Sequence, residues 1–240
     1  MKSKQAKGGV NREHHKSLPE KLVFSLLHLL IVLACAWLIY FDGTAVVGSV
    51  LDKQWQVHDP IRANILFSCV VLYWLRHSIT LLYLLVRKVE WSEVFGLLSF
   101  FAMFEVGFLI IGAGVFRDTA VELNALDALA LALLVIGSFL NSFSEVQRKW
   151  WKSKPNSKGH CYTEGLFRYS MHINFFGDVV LFAGWALFVQ SIWALGLPIL
   201  MLLSFIYMHI PALDTYLSER YGQEFDEYAL KTKKLIPFIY

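Results

Sequence analysis

Long apolar stretches recur along the chain, and they constrain its fold more than any other feature of the sequence. The first four cover residues 21–41, 63–86, 94–115 and 123–143. Each is close to the length of about 20 residues that an α-helix needs to cross the hydrocarbon core of a bilayer. A further apolar region, 174–210, is broken at Gln190-Ser191 and Pro198 and is long enough for two spans joined by a tight turn. The sequence therefore predicts an all-α, polytopic membrane bundle of about six transmembrane helices.

The composition leaves little material for a soluble domain. Of 240 residues, 56% are hydrophobic and 17% are charged, and the mean hydropathy is +0.49, whereas soluble domains are about a quarter charged. The first apolar run is as long as a full span and no small-residue cleavage site follows it, so it is interpreted as a retained helix. We expect a membrane domain over 21–240, preceded by a basic, flexible cytoplasmic tail over 1–20.

Lysine and arginine are distributed as the positive-inside rule requires for six spans. The basic segments are 2–21, 87–88, 148–168 and 220–234. The loops between them carry few bases, Lys53 and Arg62 in one and Arg117 in the other. Both termini are therefore predicted to be cytoplasmic, in the inner membrane of a bacterium or the endoplasmic reticulum of a eukaryote. The net charge of +3 reflects this topology, so it does not indicate a nucleic-acid partner.

No metal site is predicted from the histidines and cysteines. His14-His15 in the tail lacks further ligands at metal-binding spacing. Cys35, Cys69 and Cys161 are scattered, and they form neither a zinc-binding pattern nor a disulfide framework.

Ionisable side chains at membrane depth are costly, so each is a candidate functional residue. The second span carries Tyr73 and Arg76 three residues apart, and Arg87 lies eleven residues further, so all three fall on one helix face. The third span carries Glu105, for which Arg76 is the expected partner. These groups form either a structural ion pair beside an interfacial anchor or a catalytic set of phenol, guanidinium and carboxylate.

A second polar cluster is predicted where the chain returns to the membrane, in the stretch EGLFRYSMHINFFGD at 164–178. It contains His172, Asn174 and Asp178, and the last two share a helix face, as do Asn141 and Glu145 at the end of the preceding span. The cations beside these groups are Arg148, Lys149, Lys152 and Arg168.

Such a cluster is either a solvated helix end or the site of a ligand with a neutral polar head and phosphates left in the cytosol. A nicotinamide dinucleotide has that shape, and S-adenosylmethionine is an alternative without phosphates. No G-x-G-x-x-G follows a strand, so a Rossmann domain is excluded.

The stretch EGLFRYSMHINFFGD and the closing KKLIPFIY resemble the C-terminal region of the steroid 5-alpha-reductase superfamily, which includes a bacterial branch of unknown function. The resemblance covers about 70–240, and the steroid-reductase-like region proper is about 120–240. It implies a membrane helical bundle that binds NADPH from the cytosolic side and reduces an activated C=C bond of a lipid. No obligatory protein partner is evident from the sequence.

The resemblance also implies roles for individual residues. Those that would line the cofactor are Asn141, Glu145, His172, Asn174 and Asp178. Those that would meet its phosphates are Arg87, Lys152 and Arg168. Tyr216 would close the site. Tyr73 would face the substrate carbonyl as the proton donor, with Arg76 and Glu105 as supporting catalytic groups.

The sequence departs from the family pattern at three places, one of which is the Arg-His-Pro-Asn-Tyr of many bacterial members, where this chain reads MHINF at 171–175. Asp178 stands where the family has Glu, and the acidic motif of an early span is absent. Asp42 is at about the right distance before Tyr73 to replace that motif, and Glu105 is the alternative carboxylate.

A different class shares parts of the pattern. The stretch RYGQEFDEYALKTKKLIP is similar to the C-terminal segment of isoprenylcysteine carboxyl methyltransferases, which bind S-adenosylmethionine. The Arg and Pro of their Arg-His-Pro motif are missing here, and the Asn174/Asp178 pair with the IPFIY ending favours the reductase. A methyltransferase and a non-catalytic membrane protein remain the alternatives.

Overall fold

The computed structural model describes residues 13–240, and within that range it contains helices and no β-strand. The helices are α1 (Leu18–Tyr40), α2 (Gly43–Val50), α3 (Pro60–Ile79), α4 (Trp91–Gly112), α5 (Ala125–Lys152), α6 (Ile173–Phe188), α7 (Gly196–Ser204), α8 (Ile210–Tyr221) and α9 (Gln223–Lys231). A π-helical turn, Thr80–Leu84, extends α3, and another, Phe205–His209, joins α7 to α8.

Within residues 13–240, five helical segments are long and apolar enough to cross a membrane, judged by length and composition. They are Leu18–Tyr40, Pro60–Leu84, Trp91–Gly112, Ala125–Lys152 and Ile192–Tyr221. The predicted all-α, polytopic membrane fold is therefore confirmed. The remaining predicted span corresponds to α6, an apolar helix of 16 residues, which is shorter than the length of about 20 residues for a full crossing.

The helix boundaries follow from local sequence signals. Proline occupies the first turn of α1 and α3, where its missing N–H costs no intrahelical hydrogen bond. Asn124 precedes α5 and its side-chain oxygen accepts from the Leu126 amide, while the Asp127 carboxylate accepts from the Asn124 amide. This reciprocal pair is a capping arrangement that satisfies amides at the helix start.

The chain forms two compact units. The N-terminal unit comprises Glu13–Ala128 and Ala186–Ala194, and the C-terminal unit includes Leu129–Trp185 and Leu195–Tyr240. In the N-terminal unit, α1, α3 and α4 pack together around buried aromatic and aliphatic side chains. Phe24, Leu66, Phe104 and Leu109 are among them.

Part of the predicted tail 1–20 is ordered against this unit. Residues 1–12 lie outside the described range, and Leu18 already begins α1. The amide of His15 donates to the Val86 carbonyl at 3.2 Å, and the amide of Lys88 donates to the Glu13 carbonyl at 2.8 Å. The flexible tail predicted to extend to residue 20 therefore does not include residues 13–20.

In the C-terminal unit, α5 and α6 pack with their backbones close together at glycines. A β-carbon at Gly184 would lie 2.5 Å from the Ala130 carbonyl oxygen, and one at Gly177 would lie 2.8 Å from that of Gly137. Small residues at helix crossings permit this approach in membrane proteins. The crossing brings the Asn141 turn of α5 beside the first turns of α6.

Candidate functional site

The polar cluster predicted from the sequence is assembled in the C-terminal unit by three side chains. Asn141 Nδ2 donates to the Asn174 carbonyl at 3.1 Å, and Asn174 Nδ2 donates to Glu145 Oε1 at 3.0 Å. Asn174 lies in the first turn of α6, and the other two residues lie one turn apart on α5. The sequence-based grouping of these residues thus corresponds to a hydrogen-bonded unit.

Cations flank this cluster along α5. Arg148 pairs with Glu145 Oε2, and its guanidinium carbon lies 5.9 Å from the centroid of the Phe167 ring. Lys152, seven residues beyond Glu145 and therefore on the same face, donates to the His160 carbonyl at 2.7 Å and the Tyr221 hydroxyl at 3.0 Å. Arg168 is exposed at the end of a short 3-10 helix, Gly165–Arg168.

The turn that delivers the chain to α6 depends on Gly165. Its φ of +58° is in the left-handed region that favours glycine. A β-carbon there would also lie 2.6 Å from Gln147 Oε1, which accepts a hydrogen bond from the Leu166 amide. The glycine therefore ties the 164–168 segment to α5.

His172 has a different partner from its predicted companions. Its imidazole is buried and Nε2 lies 2.8 Å from Asp214 Oδ1, while Asp214 Oδ2 lies 3.8 Å from Lys234 Nζ. The His172 amide donates to the Lys234 carbonyl at 2.9 Å, which fixes the chain before α6 against the C-terminal segment. His172 thus has a positioning role whether or not a cofactor binds.

The two remaining cofactor candidates in this unit lie on α6 and α8. Asp178 is half-buried one turn beyond Asn174. Tyr216 is half-buried, and its hydroxyl accepts a hydrogen bond from Arg220.

The catalytic candidates lie in the N-terminal unit, in a group of aromatic and ionisable side chains in which Tyr73 and Arg76 are half-buried and Glu105 is fully buried. The Arg76 guanidinium carbon lies 5.1 Å from the centroid of the Tyr73 ring. The Tyr73 ring is parallel to the His77 ring, with centroids 6.4 Å apart, and it meets Phe101 and Phe104 edge-on. A cation over the face of the ring interacts with it electrostatically.

The predicted partner of Glu105 was wrong. Glu105 is fully buried and its Oε1 lies 2.8 Å from Nε2 of His28, which is also fully buried, rather than pairing with Arg76. His28 Nδ1 lies 3.3 Å from His77 Nδ1. Glu105 Oε2 has no hydrogen-bond partner among the described residues. The carboxylate therefore belongs to a His77–His28–Glu105 chain within the N-terminal unit.

Two other predicted residues are used differently in the same unit. Arg87 forms a bidentate ion pair with Glu93, in which NH1 donates to Oε2 at 2.8 Å. This carboxylate neutralises the guanidinium that was predicted to meet a phosphate. Asp42 is exposed at the start of α2, where its carbonyl accepts from the Val46 amide.

Sequence reasoning missed His28 and assigned no role to Asp214 in holding His172. For His28 a signal existed, since it is an ionisable residue within the first apolar run, in LVFSLLHLLIVL. For Asp214 no spacing signal existed, because it is 42 residues from His172.

These features define a class: a polytopic helical membrane protein with a polar, cation-flanked cluster on α5 and α6, and with a half-buried Tyr–Arg pair and a fully buried His–Glu pair in its N-terminal unit. The chain belongs to the family described as "Protein of unknown function (DUF1295)", which matches residues 31–232. No curated protein matches the sequence.

Proposed function

We propose that the protein is a membrane oxidoreductase that uses NADPH to reduce an activated C=C bond of a lipid. The observation that carries this proposal is the hydrogen-bonded unit of Asn141, Glu145 and Asn174 with cations along the same helix. The sequence resemblance to steroid 5-alpha-reductases supports it, and the family lies in the steroid 5-alpha-reductase-like group.

The residues of the cluster fit the polar head of a nicotinamide. Asn174 uses its amide N–H on Glu145, which leaves its Oδ1 available among the described residues to accept from a carboxamide. Glu145 holds Asn174 in this orientation and is itself neutralised by Arg148. The acceptor offered to the ligand is therefore the neutral Oδ1 of Asn174. Such an acceptor suits the uncharged carboxamide of a nicotinamide better than a free carboxylate would.

The cations fit the charged part of the same ligand. Lys152 makes its hydrogen bonds to a carbonyl and a phenol, so both partners are neutral and its positive charge is uncompensated by them. Arg168 is exposed, and its guanidinium carbon is 5.8 Å from the Tyr169 ring centroid. Charge-assisted hydrogen bonds from such groups to phosphate are about twice as strong as neutral ones.

When bound, NADPH supplies the hydride, and the chain must supply a proton donor for the substrate oxygen. In the proposal this donor is Tyr73. The Arg76 guanidinium over its ring favours the negative charge that develops on the phenol oxygen as the proton leaves. The Phe101 and Phe104 rings that meet the Tyr73 ring edge-on make this side of the phenol apolar, and a hydrogen bond to a developing enolate is stronger in apolar surroundings.

The test is a comparison of ligands on the purified full chain. NADPH, NADH and S-adenosylmethionine are each added, and the unfolding temperature and intrinsic tryptophan fluorescence are measured. A ligand at one hundred times its dissociation constant stabilises by about 2.7 kcal/mol. We expect NADPH to stabilise more than NADH, because its 2′-phosphate adds a charge-assisted contact. Stabilisation by S-adenosylmethionine alone would favour the methyltransferase instead.

Variants locate the site. Asn174→Ala should abolish the stabilisation by NADPH and leave the protein folded, and Asp178→Ala tests the adjacent carboxylate in the same way. Asn64→Ala, the same chemical change at an exposed position of the N-terminal unit, should leave the stabilisation intact. If NADPH stabilises the Asn174 variant as strongly as the unaltered protein, the cofactor does not bind at this cluster.

A further inference from the structure

A strongly basic cavity lies in the C-terminal unit beyond the end of α5. Its volume is about 410 Å³, and no carboxylate of the described residues lines it. It is lined by Lys152, Lys154, Pro155, Ser157, Lys158, Gly159 and Arg220. Four positive charges therefore face one small volume.

These charges are not cancelled by acidic partners. Lys154 and Lys158 are exposed, and neither ammonium forms an ion pair within residues 13–240. Lys152 donates to the His160 carbonyl and the Tyr221 hydroxyl, and Arg220 donates to the Tyr216 hydroxyl, all of which are neutral acceptors. The cavity consequently carries an excess of positive charge that an anion would neutralise.

The loop that forms one wall is held in a defined conformation. Ser157 is buried, and its hydroxyl lies 2.9 Å from the Lys152 carbonyl and 2.7 Å from the Lys154 carbonyl. Gly159 follows with a φ of +88°, which is favourable for glycine. The two lysines on this loop are therefore placed beside the cavity by the backbone.

The position of the cavity along the helices indicates which anion it meets. Lys152 is the last residue of one candidate membrane span, and Arg220 is the penultimate residue of another. Trp151 and Tyr221 lie beside them, with their ring centroids 5.1 Å and 5.0 Å from Lys152 Nζ. Tryptophan and tyrosine concentrate at the membrane–water interface, so the cavity lies at the depth of lipid headgroups.

The surface of α5 that leads from this end into the membrane is apolar and uncovered. Trp150, Phe139 and Val135 are 56%, 51% and 66% exposed, and their spacings of eleven and four residues put them on one face. Acyl chains attached to a headgroup in the cavity would have an apolar helix face to lie against.

We propose that this cavity binds the phosphate headgroup of an anionic phospholipid. Basic pockets at the cytoplasmic ends of membrane helices bind such headgroups, and this end is the one that the basic segments predict to be cytoplasmic. The proposal shares Lys152 with the proposed cofactor site but does not require a bound cofactor, since Lys154, Lys158 and the apolar face are outside the proposed cofactor cluster.

The test measures phosphatidate binding to the full chain in phosphatidylcholine nanodiscs, by titration with a short-chain phosphatidate. The double variant Lys154→Gln/Lys158→Gln should weaken binding about thirtyfold, because each basic residue near an anionic surface contributes about a factor of five. The matched control Lys231→Gln/Lys233→Gln removes the same charge from exposed positions outside the cavity and should leave the dissociation constant within about threefold. Added salt should weaken binding to the unaltered protein.

Two outcomes would overturn the proposal. One is equal phosphatidate affinity in the cavity variant and the control. The other is displacement of phosphatidate by inorganic pyrophosphate, which would show that the cavity serves a soluble phosphate. Stabilisation by NADPH, measured on the same cavity variant, separates the two proposals: if it is retained while phosphatidate binding is lost, the lipid site requires Lys154 and Lys158 and the cofactor site does not.

Discussion

The buried pair of His28 and Glu105 is the residue-scale feature with the largest expected effect on stability. Both side chains are fully buried, and Glu105 Oε2 already lacks a partner among the described residues. Removing one member of a buried pair leaves the other uncompensated, which typically costs about 3–5 kcal/mol, whereas replacing both by apolar groups is often neutral.

We therefore expect His28→Ala to lower the free energy of unfolding by about 3–5 kcal/mol. The double variant His28→Leu/Glu105→Leu should lose much less. Both are measured by denaturant unfolding in detergent, followed by tryptophan fluorescence. A double variant that is as unstable as the single one would mean that the packing of His28, and not its pairing with Glu105, stabilises the unit.

Cys161 provides a pH-dependent test outside the membrane spans. Burial, reinforced by the charge of Glu224, raises the pKa of its thiol from an ordinary value of 9.0 to about 11. The folded state therefore favours the protonated thiol, so its contribution to stability is complete below pH 9 and is lost as the pH rises towards 11. Between these values the unfolding temperature should fall more steeply for the unaltered protein than for Cys161→Ala. Parallel curves would contradict the assignment.

Tyr73 tests the proposed chemistry at the level of one hydroxyl. Tyr73→Phe keeps the ring that packs against His77, Phe101 and Phe104 and removes the proton donor. A positioned general acid typically contributes about 10²–10⁴-fold, so NADPH-dependent turnover of an enone lipid should fall by that order. NADPH binding should be unchanged in fluorescence titration. Unchanged turnover would reject Tyr73 as the donor, and lost cofactor binding would assign it a structural role.

At the scale of elements, the crossing of α5 and α6 sets the geometry of the polar cluster. A methyl group at Gly177 would overlap the backbone of α5 at Gly137 and Asn141. Gly107, in the middle of α4, has nothing within 4 Å of a β-carbon and is the matched control.

Gly177→Ala should therefore destabilise the protein by about 1–3 kcal/mol, the usual cost of forcing extra atoms into a packed interface. Gly107→Ala should be neutral or stabilising by about 0.5–1 kcal/mol, because alanine is favoured over glycine within helices. Thermal unfolding of both variants provides the comparison. NADPH-induced stabilisation should also decrease for Gly177→Ala alone, since the crossing holds Asn141 beside Asn174.

The elements that could be predicted are those whose cause is local. Apolar length placed α1 at 21–41, against Leu18–Tyr40 in the structure, and i, i+4 spacing grouped Asn141 with Glu145. The break predicted at Gln190-Ser191 also agrees with the end of α6 at Phe188, where the chain turns through Gln190 with a φ of +58°. The polar residues after 143 suggested that α5 ends there. The helix instead continues to Lys152, and its last turns are polar.

The contacts that could not be predicted join residues distant in the chain. Glu105 and His28 are 77 residues apart, and His172 and Asp214 are 42 residues apart. Sequence periodicity does not specify which helices pack against each other. The sequence therefore suggested Arg76, the cation on the preceding span, as the partner of Glu105, and that prediction was wrong. The contacts of Gly177 could not be predicted either, because a small residue permits a close helix approach but does not specify which helix packs against it.

At the scale of the whole molecule, each compact unit contains one set of the predicted functional residues. The N-terminal unit holds Tyr73, Arg76 and Glu105, and the C-terminal unit holds the cofactor candidates other than Arg87. The C-terminal unit also carries the basic cavity. The residues of the proposed cofactor and headgroup sites thus lie in the C-terminal unit, and the proposed proton donor lies in the N-terminal unit.

The orientation of the chain in the membrane is the last prediction, and both proposals depend on it. Bases cluster at 148–168 and 220–234 but are few at 42–62 and 113–123, and the rule that basic loops remain in the cytoplasm assigns the first two segments to that side. A reporter fused after Tyr240 should therefore be active in the cytoplasm, and one inserted beside Asp118 should be active on the opposite side. Arg117→Ala, which removes the basic residue from the loop 113–123, should leave both results unchanged. The reverse pattern would expose the basic cavity and the cations of α5 to a compartment without cytosolic NADPH, and it would reject the cofactor proposal and the predicted cytoplasmic setting of the lipid site together.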